Sequence, residues 1–382
     1  MKQTRPARRT AASVIGSAAL SLALAGGLLV PAAQPASAAP TLRVQRVVGG
    51  LTIPWDVTWI GQTMLYNERP GRVWTKRPGA APQRVNLALP RIWARSEGGL
   101  LGLVADPGAA SNGYFYSCMS VAASATRPKD VEVWKWKLTS PTTATRVRTM
   151  VSGLPIGSGR HNGCRMVIRG NDLFIGTGDA AQGANPQSLG SLGGKILRVR
   201  LDGSIPTDNP FYRRGGNARY VWTYGHRNVQ GLALRPYWGS LYSVEHGPDR
   251  DDEINRVAPG ANYGWSPTPG YNESRPMTDL TRFPRAKRAA WRSGAPTLAT
   301  SGATFLSGSA WGSWNGRLAV ALLKGQGVQL FTVSTTADVA TKREKVLTSY
   351  GRIRSVHQGP DGALHFTTSN GSNDGIYRVA AG

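Results

Sequence analysis

Six times along this chain an apolar strand runs into a turn built from Gly, Pro, Asp or Asn and returns as a second strand. The phrases are WDVTWIGQTMLYNERPGRVW, GLLGLVADPGAASNGYFYSCMSV, CRMVIRGNDLFIGTGD, GLALRPYWGSLYSVEHG, GATFLSGSAWGSWNGRLAVALL and IRSVHQGPDGALHFTTSN. Several continue into a third strand, as in KILRVR, DEINRV and GIYRV. Helical periodicity is scarce, so the chain reads as all-β. Units spaced by roughly 45 to 70 residues, each worth about four strands, suit propeller blades better than a sandwich. The expectation is one six-bladed β-propeller with four-stranded blades over residues 39–382. Such a fold buries its strands between adjacent blades and needs no second core. The segment Asn272–Arg292, polar and rich in Arg and Pro, reads as a surface excursion between strands.

Ahead of the repeats stand Lys2, Arg5, Arg8 and Arg9, an apolar run from Ala11 to Val30, and the small-residue site Ala36-Ser37-Ala38. That order predicts a secretory signal peptide over residues 1–38 and a secreted product. Later segments fall short of the roughly 20 apolar residues that cross a bilayer, so no membrane span is expected. The formal charge is +25, which would attract anions. Its Arg residues are dispersed and form no nucleic-acid motif, so the favoured reading is a soluble protein with no nucleic-acid partner. The two cysteines, Cys118 and Cys164, lie in or beside strand-like runs of an exported chain. A disulfide is the expectation there, and a catalytic thiol the alternative.

Four groups of residues read as chemistry. His161 sits among glycines in GSGRHNGCRMVI, and the strand after it leads to Asp179; a His oriented by a carboxylate is a general-base arrangement. Arg227 and Asn228 follow Gly225-His226 at the entrance to a strand, where a guanidinium fork and an amide could meet oxygens. Gly247 and Pro248 follow Glu245-His246 and precede Asp249, Asp251, Asp252 and Glu253. That turn could offer carbonyl oxygens to a hard cation, although its spacing is not that of an EF-hand. Arg352 and Arg354, two apart on a strand, share a face, and Lys324 adds a cation nearby in sequence pattern. A lone His, a structural Arg and an acidic surface turn are the bland alternatives at each place.

The ordered set EGGLLGLVADP, RHNGCRMVI with GTGD, LGGKILRVRLDGSIPTDNPF, YGHRNVQGLA, EHGPDRDDEINRV with NYGW, LLKGQG and GRIRSVHQGPDGAL resembles the soluble pyrroloquinoline quinone (PQQ) dependent sugar dehydrogenases, the glucose/sorbosone and aldose sugar dehydrogenase family. The resemblance implies a propeller carrying PQQ and Ca2+ on its axis and oxidising the C1 hydroxyl of aldose sugars to lactones, with electrons passed to an external acceptor, in a monomer or homodimer. It implies that His161 is the base, that Asp179 supports it, and that Arg227 polarises the quinone, with Asn228 beside it. Lys324, Arg352 and Arg354 would hold the PQQ carboxylates, with Thr297, Asp252, Glu97 and His246 also on the cofactor side. Gly247 and Pro248 would ligate the cofactor's Ca2+, and Glu253 and Tyr263 a second calcium.

Some positions depart from the family's pattern. Glu97 stands where glucose-oxidising members have an amide, His246 replaces a Gln, and both changes look like the aldose dehydrogenase branch. Ala295 occupies the place of a covering aromatic, and Cys164 replaces a Gly. Two other readings compete: a propeller that binds carbohydrate or protein without redox chemistry, and a calcium-dependent propeller lactonase. The joint presence of His161, Arg227 and the three clamp cations favours the dehydrogenase, since a tri-anionic cofactor needs that set.

Overall fold

The computed structural model describes residues 38–371 and 373–382, and residues 38–382 form one compact unit. The expected leader therefore lies, apart from Ala38, outside the described residues. The first strand, β1 (Leu42–Leu51), waits for the end of the chain. Blade one holds β2 (Pro54–Ile60), β3 (Thr63–Glu68), β4 (Arg72–Lys76) and β5 (Gln83–Arg84). Blade two holds β6 (Leu100–Ala105), β7 (Tyr114–Ala122), β8 (Pro128–Ser140) and β9 (Thr143–Leu154). Blade three holds β10 (Gly163–Arg169), β11 (Asp172–Thr177), β12 (Lys195–Arg200) and β13 (Val221–Tyr224). Blade four holds β14 (Val229–Leu234), β15 (Leu241–Glu245), β16 (Glu253–Arg256) and β17 (Trp291–Arg292). Blade five holds β18 (Thr300–Phe305), β19 (Leu318–Leu322), β20 (Val328–Val333) and β21 (Ala340–Val346). Blade six combines β22 (Ile353–Gln358), β23 (Leu364–Thr368) and β24 (Asp374–Ala381) with β1 as its outer strand.

Every blade is a four-stranded antiparallel meander, and the fold is the expected six-bladed propeller. Each repeated phrase supplies the first two strands of one blade; four fold back through short turns, while the links after β6 and β18 carry a helical turn, Ala109–Asn112 and Ser309–Trp314. The closure was not legible in the repeats. Leu42 pairs with Ala381 and Val44 with Val379, so the chain's start completes the blade its end begins. That pairing removes the open edge that a linear array of blades would leave.

The innermost strands β2, β6, β10, β14, β18 and β22 pack side by side around the axis. One buried carboxylate ties four of these blades. Asp56 Oδ1 meets Arg165 at 2.8 Å and His357 Nε2 at 2.6 Å, while Oδ2 accepts from the Leu103 amide at 3.0 Å. Burial alone would raise its pKa, but those partners outweigh it and hold the carboxyl at about 2. Between blades two and three, Cys118 and Cys164 form a disulfide, both fully buried in a cluster with Leu101, Tyr116 and Met166. The disulfide expectation is met, and the free-thiol alternative falls.

Candidate active site

The strand ends of blades three and four bring a His, two acids and an Arg to one mouth of the axis. His161 precedes β10 and adopts φ +53°, a left-handed conformation that turns its ring inward. The amide of His161 donates to Glu97 Oε2 at 2.8 Å, and its carbonyl accepts from Ala180. Behind the carbonyl lies Gly178, where a Cβ would sit 1.8 Å from His161 O, so no other residue fits. Asp179 follows, and its Oδ1 accepts from His161 Nδ1 at 2.8 Å. The same carboxylate accepts from the Ala181 amide, Trp265 Nε1 and the Tyr271 hydroxyl, each at 2.8 Å. With its partners all donors, Asp179 assigns the proton to His161 Nδ1 and leaves the Nε2 lone pair free.

Below Asp179, Lys195 is fully buried, and its Nζ donates to the carbonyls of Asn185, Pro186 and Gly193 at 2.6, 3.1 and 2.6 Å. Burial pushes its pKa down to about 7, against the pull of Asp179. Three carbonyls converging on three N–H donors keep the loop after Asp179 in place.

Arg227 is buried beside this pair. Its amide donates to Glu245 Oε2 at 3.0 Å, its side chain reaches the His246 carbonyl at 3.3 Å and Glu273 Oε1 at 2.6 Å, and Nε has no partner. Asn228 has a structural bond that the sequence reading did not anticipate. Its Oδ1 accepts from the Gly163 amide and from Gln230 Nε2, both at 3.1 Å, so its carboxamide oxygen locks the base loop to blade four.

On the axis a cavity of about 420 Å³ is lined by Arg69, Glu97, Gln230, His246, Arg352 and Arg354, with Trp55 along one wall. Arg354 has an unpartnered buried Nε. Burial, then Arg165 and Arg352, push its pKa down to about 9, only partly opposed by Glu97. A guanidinium does not give up its proton at working pH, so the cost appears as a positive pocket lacking a counter-ion. His246 is half-buried with an inaccessible, unpartnered Nε2, and desolvation with Arg354 and Arg227 pushes its pKa down to about 3, keeping it neutral.

The remaining predicted positions, Lys324, Thr297, Gly247, Pro248, Asp252, Glu253 and Tyr263, do not line this cavity. Lys324 is exposed, next to Leu323 of the cavity wall. Thr297 is buried, and its amide donates to the Asp249 carbonyl at 3.1 Å. Asp252 works from behind, accepting the amides of Gly247 at 3.0 Å and Leu298 at 2.6 Å, which fixes the turn that carries Gly247 and Pro248. Burial raises its pKa despite those bonds. Glu253 and Glu245 are both buried and share Asn255 Nδ2 at 3.2 and 2.8 Å. Burial, then Glu245, push the Glu253 carboxyl up to about 8. Tyr263 stacks on His226, which bonds Glu245, so the two proposed calcium positions share one buried patch. Among the described residues no group of three or more His, Cys, Asp and Glu is arranged to hold a metal. Cation ligation here would therefore rest largely on carbonyl oxygens.

Sequence reasoning missed Arg69, Trp265, Tyr271 and Glu273. Tyr271 stands immediately before, and Glu273 within, the segment expected to be a surface excursion. The start of that connection instead reaches the mouth, where Tyr271 meets His161 and Glu273 pairs with Arg227; Met277 and Asp279 are buried further along, and just ahead of the segment Gly183 of blade three approaches so closely that a Cβ there would lie 2.2 Å from Gly270 O. The cue available was Tyr271 among turn residues, but apolar periodicity is absent there.

The structure is thus a closed six-bladed propeller with a buried His–Asp pair beside a cationic axial cavity. A family model described as Glucose / Sorbosone dehydrogenase matches residues 51–378, and the chain belongs to that family, the soluble PQQ sugar dehydrogenases. The aldose sugar dehydrogenase YliI of Escherichia coli is 31% identical over 354 residues, spanning 88% of this chain and 93% of that protein. The crystal structure of the apo-form of the soluble aldose sugar dehydrogenase from Escherichia coli superposes with a TM-score of 0.80 at 29% identity, covering 89% of this chain and 99% of that one. A structure of the PQQ-bound aldose sugar dehydrogenase from Streptomyces coelicolor gives a TM-score of 0.72 at 27% identity, covering 90% and 100%. These relatives place the chain among the oxidoreductases that dehydrogenate glucose and other aldoses.

Proposed function

We infer that this chain is an exported, PQQ- and Ca2+-dependent dehydrogenase that oxidises the C1 hydroxyl of aldose sugars to lactones. The observation that carries the reading is the uncompensated cavity: Arg69, Arg352 and Arg354 face it with Glu97 as their one carboxylate, and Arg354 Nε and His246 Nε2 lack partners. A tri-carboxylate fits that deficit, and a neutral sugar alone does not. The buried disulfide agrees with export into an oxidising compartment.

In this reading Arg352, Arg354 and Lys324 bind the carboxylates of PQQ, and Gly247 and Pro248 offer carbonyl oxygens to Ca2+. PQQ with its Ca2+ supplies an o-quinone that accepts hydride from the sugar's C1 carbon. His161 Nε2 takes the proton from the C1 hydroxyl, while Nδ1–H stays on Asp179, which orients the ring and stabilises the imidazolium that forms. Arg227, now paired with Glu273, would stabilise charge developing on the acceptor side. Glu253 and Tyr263 would serve a second calcium position, where a cation would displace the proton that burial keeps on Glu253. Electrons leave to an external acceptor.

Reconstitution tests the reading. Apo-protein given PQQ and Ca2+ should reduce a redox dye in the presence of aldoses, and His161→Ala should lose about 10²- to 10⁴-fold in kcat while still binding PQQ. Failure of PQQ to bind the wild-type chain would sink it.

A further inference from the structure

Tyr271 makes a contact that the base–carboxylate pair does not explain. Its hydroxyl oxygen lies 3.0 Å from His161 Nδ1 and 2.8 Å from Asp179 Oδ2. Asp179 accepts only, so the hydroxyl proton goes to Oδ2 and the hydroxyl oxygen is left to share the Nδ1–H of His161. One imidazole proton is thus held between two acceptors, Asp179 Oδ1 at 2.8 Å and the Tyr271 oxygen. The ring is gripped at Nδ1 from the blade and from the strap above it. Burial, with Asp179 nearby, raises the Tyr271 pKa, so its hydroxyl remains a donor.

The strap is itself fixed at that point. Two residues on, Glu273 Oε1 pairs with Arg227 at 2.6 Å and with Arg160 at 3.1 Å, and the Tyr271 ring meets Trp265 edge-on at 6.3 Å. Trp265 in turn donates to the same Asp179 oxygen that Tyr271 does. A tyrosine serving only to pack would not need its hydroxyl on both members of the pair.

We propose that Tyr271 is a positioning residue for the proton acceptor, a third member of a His161–Asp179–Tyr271 array that aims His161 Nε2 at the sugar's C1 hydroxyl. The proposal rests on the dehydrogenase reading for its kinetic consequence, but not for its structural one. Tyr271 acts through His161, so its removal changes the rate of proton transfer and leaves cofactor and sugar affinity alone.

Tyr271→Phe keeps the ring and removes the hydroxyl. In the reconstituted enzyme kcat should fall about tenfold, with KM and PQQ affinity within about twofold of wild type. In an Asp179→Asn background the same change should cost less than twofold, because a residue that acts through the pair has nothing left to act on. The second readout uses apo-protein. In the full chain labelled with ¹⁵N-histidine and assigned with His161→Gln, the Nδ1–H signal of His161 should exchange with water several-fold faster once Tyr271 is Phe. Unchanged exchange together with unchanged kcat overturns the proposal, as does a kcat loss fully retained in the Asp179→Asn background. If the wild-type chain oxidises no sugar, the functional reading fails, and the exchange measurement still decides the role of Tyr271.

Discussion

Replacing Cys118 and Cys164 together by Ala removes the covalent tie between the second strand of blade two and the first strand of blade three. The bridged residues are 46 apart in sequence, and freeing a loop of that length in the unfolded chain costs about 4 kcal/mol of stability on the chain-entropy account. Both side chains are fully buried, so losing two sulfur atoms adds a cavity term of about 1 kcal/mol. Reduced wild-type protein keeps the sulfurs and isolates the loop-closure part. Urea unfolding of apo-protein, followed by far-UV circular dichroism and tryptophan fluorescence, measures both, and coincident transitions justify a two-state treatment. The bridge also bears on chemistry. Cys164 has φ +76° and lies three residues beyond His161, so the disulfide pins the base loop to its neighbouring blade. Turnover per folded molecule should therefore fall several-fold when the bridge is cut. A stability loss below about 1 kcal/mol with unchanged turnover would refute the reasoning: the blades would then be registered by packing alone.

Arg354→Met should raise apo-protein stability by about 1 kcal/mol, since it removes a cation buried without a counter-ion, while weakening PQQ binding by about 2 kcal/mol or more, roughly thirtyfold; thermal melts with and without PQQ read both signs, and a destabilised apo variant that binds PQQ normally contradicts it. Gly178→Ala forces a Cβ to 1.8 Å from the His161 carbonyl and should cost about 1–3 kcal/mol and displace the base, seen as lost turnover with PQQ binding retained. His365 is buried, and burial pushes its pKa down to about 4 from 6.5, so the unfolded chain takes up its proton first. Its contribution is complete above about pH 6.5 and is lost as pH falls toward 4, amounting to about 3 kcal/mol at most. His365→Gln should flatten that part of the stability–pH curve, and an unchanged curve means the His is solvated.

The blades were legible because alternation and turn chemistry act locally: VTWIGQTMLY folds back at its Gly, and each of the six phrases supplies a pair of neighbouring strands. Ring closure was not, since Leu42–Leu51 pairs with Asp374–Ala381 across the whole length of the chain and nothing local marks an outer strand as belonging to the last blade. At the site, His161 and Asp179 could be found because glycines frame them and one strand pair joins them. Asn228 was visible, but the bonds of its oxygen were not. An amide in a loop can face a ligand or a neighbouring backbone, and only the fold shows that its oxygen is spent on Gly163 and Gln230. Tyr271 and Glu273 stayed hidden for the opposite reason. They act from a connection without periodicity, whose path over the mouth is set by tertiary contacts such as Gly183 against Gly270.

The parts of the site come from blades that share little chain. Trp55 and Arg69 come from blade one, Glu97 from the approach to blade two, His161 and Asp179 from blade three, Arg227 and His246 from blade four, and Arg352 and Arg354 from blade six. No single blade can place a base against a clamp, so their separation is set by the ring, whose inner strands are tied by Asp56 below and whose seam is shut by β1 on β24. Guanidiniums gathered along the axis repel one another and cost stability where their charge is not answered. Asp56 answers it permanently for Arg165, at a carboxyl held near 2, whereas Arg354 is left unanswered at the mouth. The same fold thus neutralises the cation that ties its inner strands and leaves short of a partner the one proposed to bind the cofactor, and that difference marks off structural charge from the charge available to a ligand along one axis.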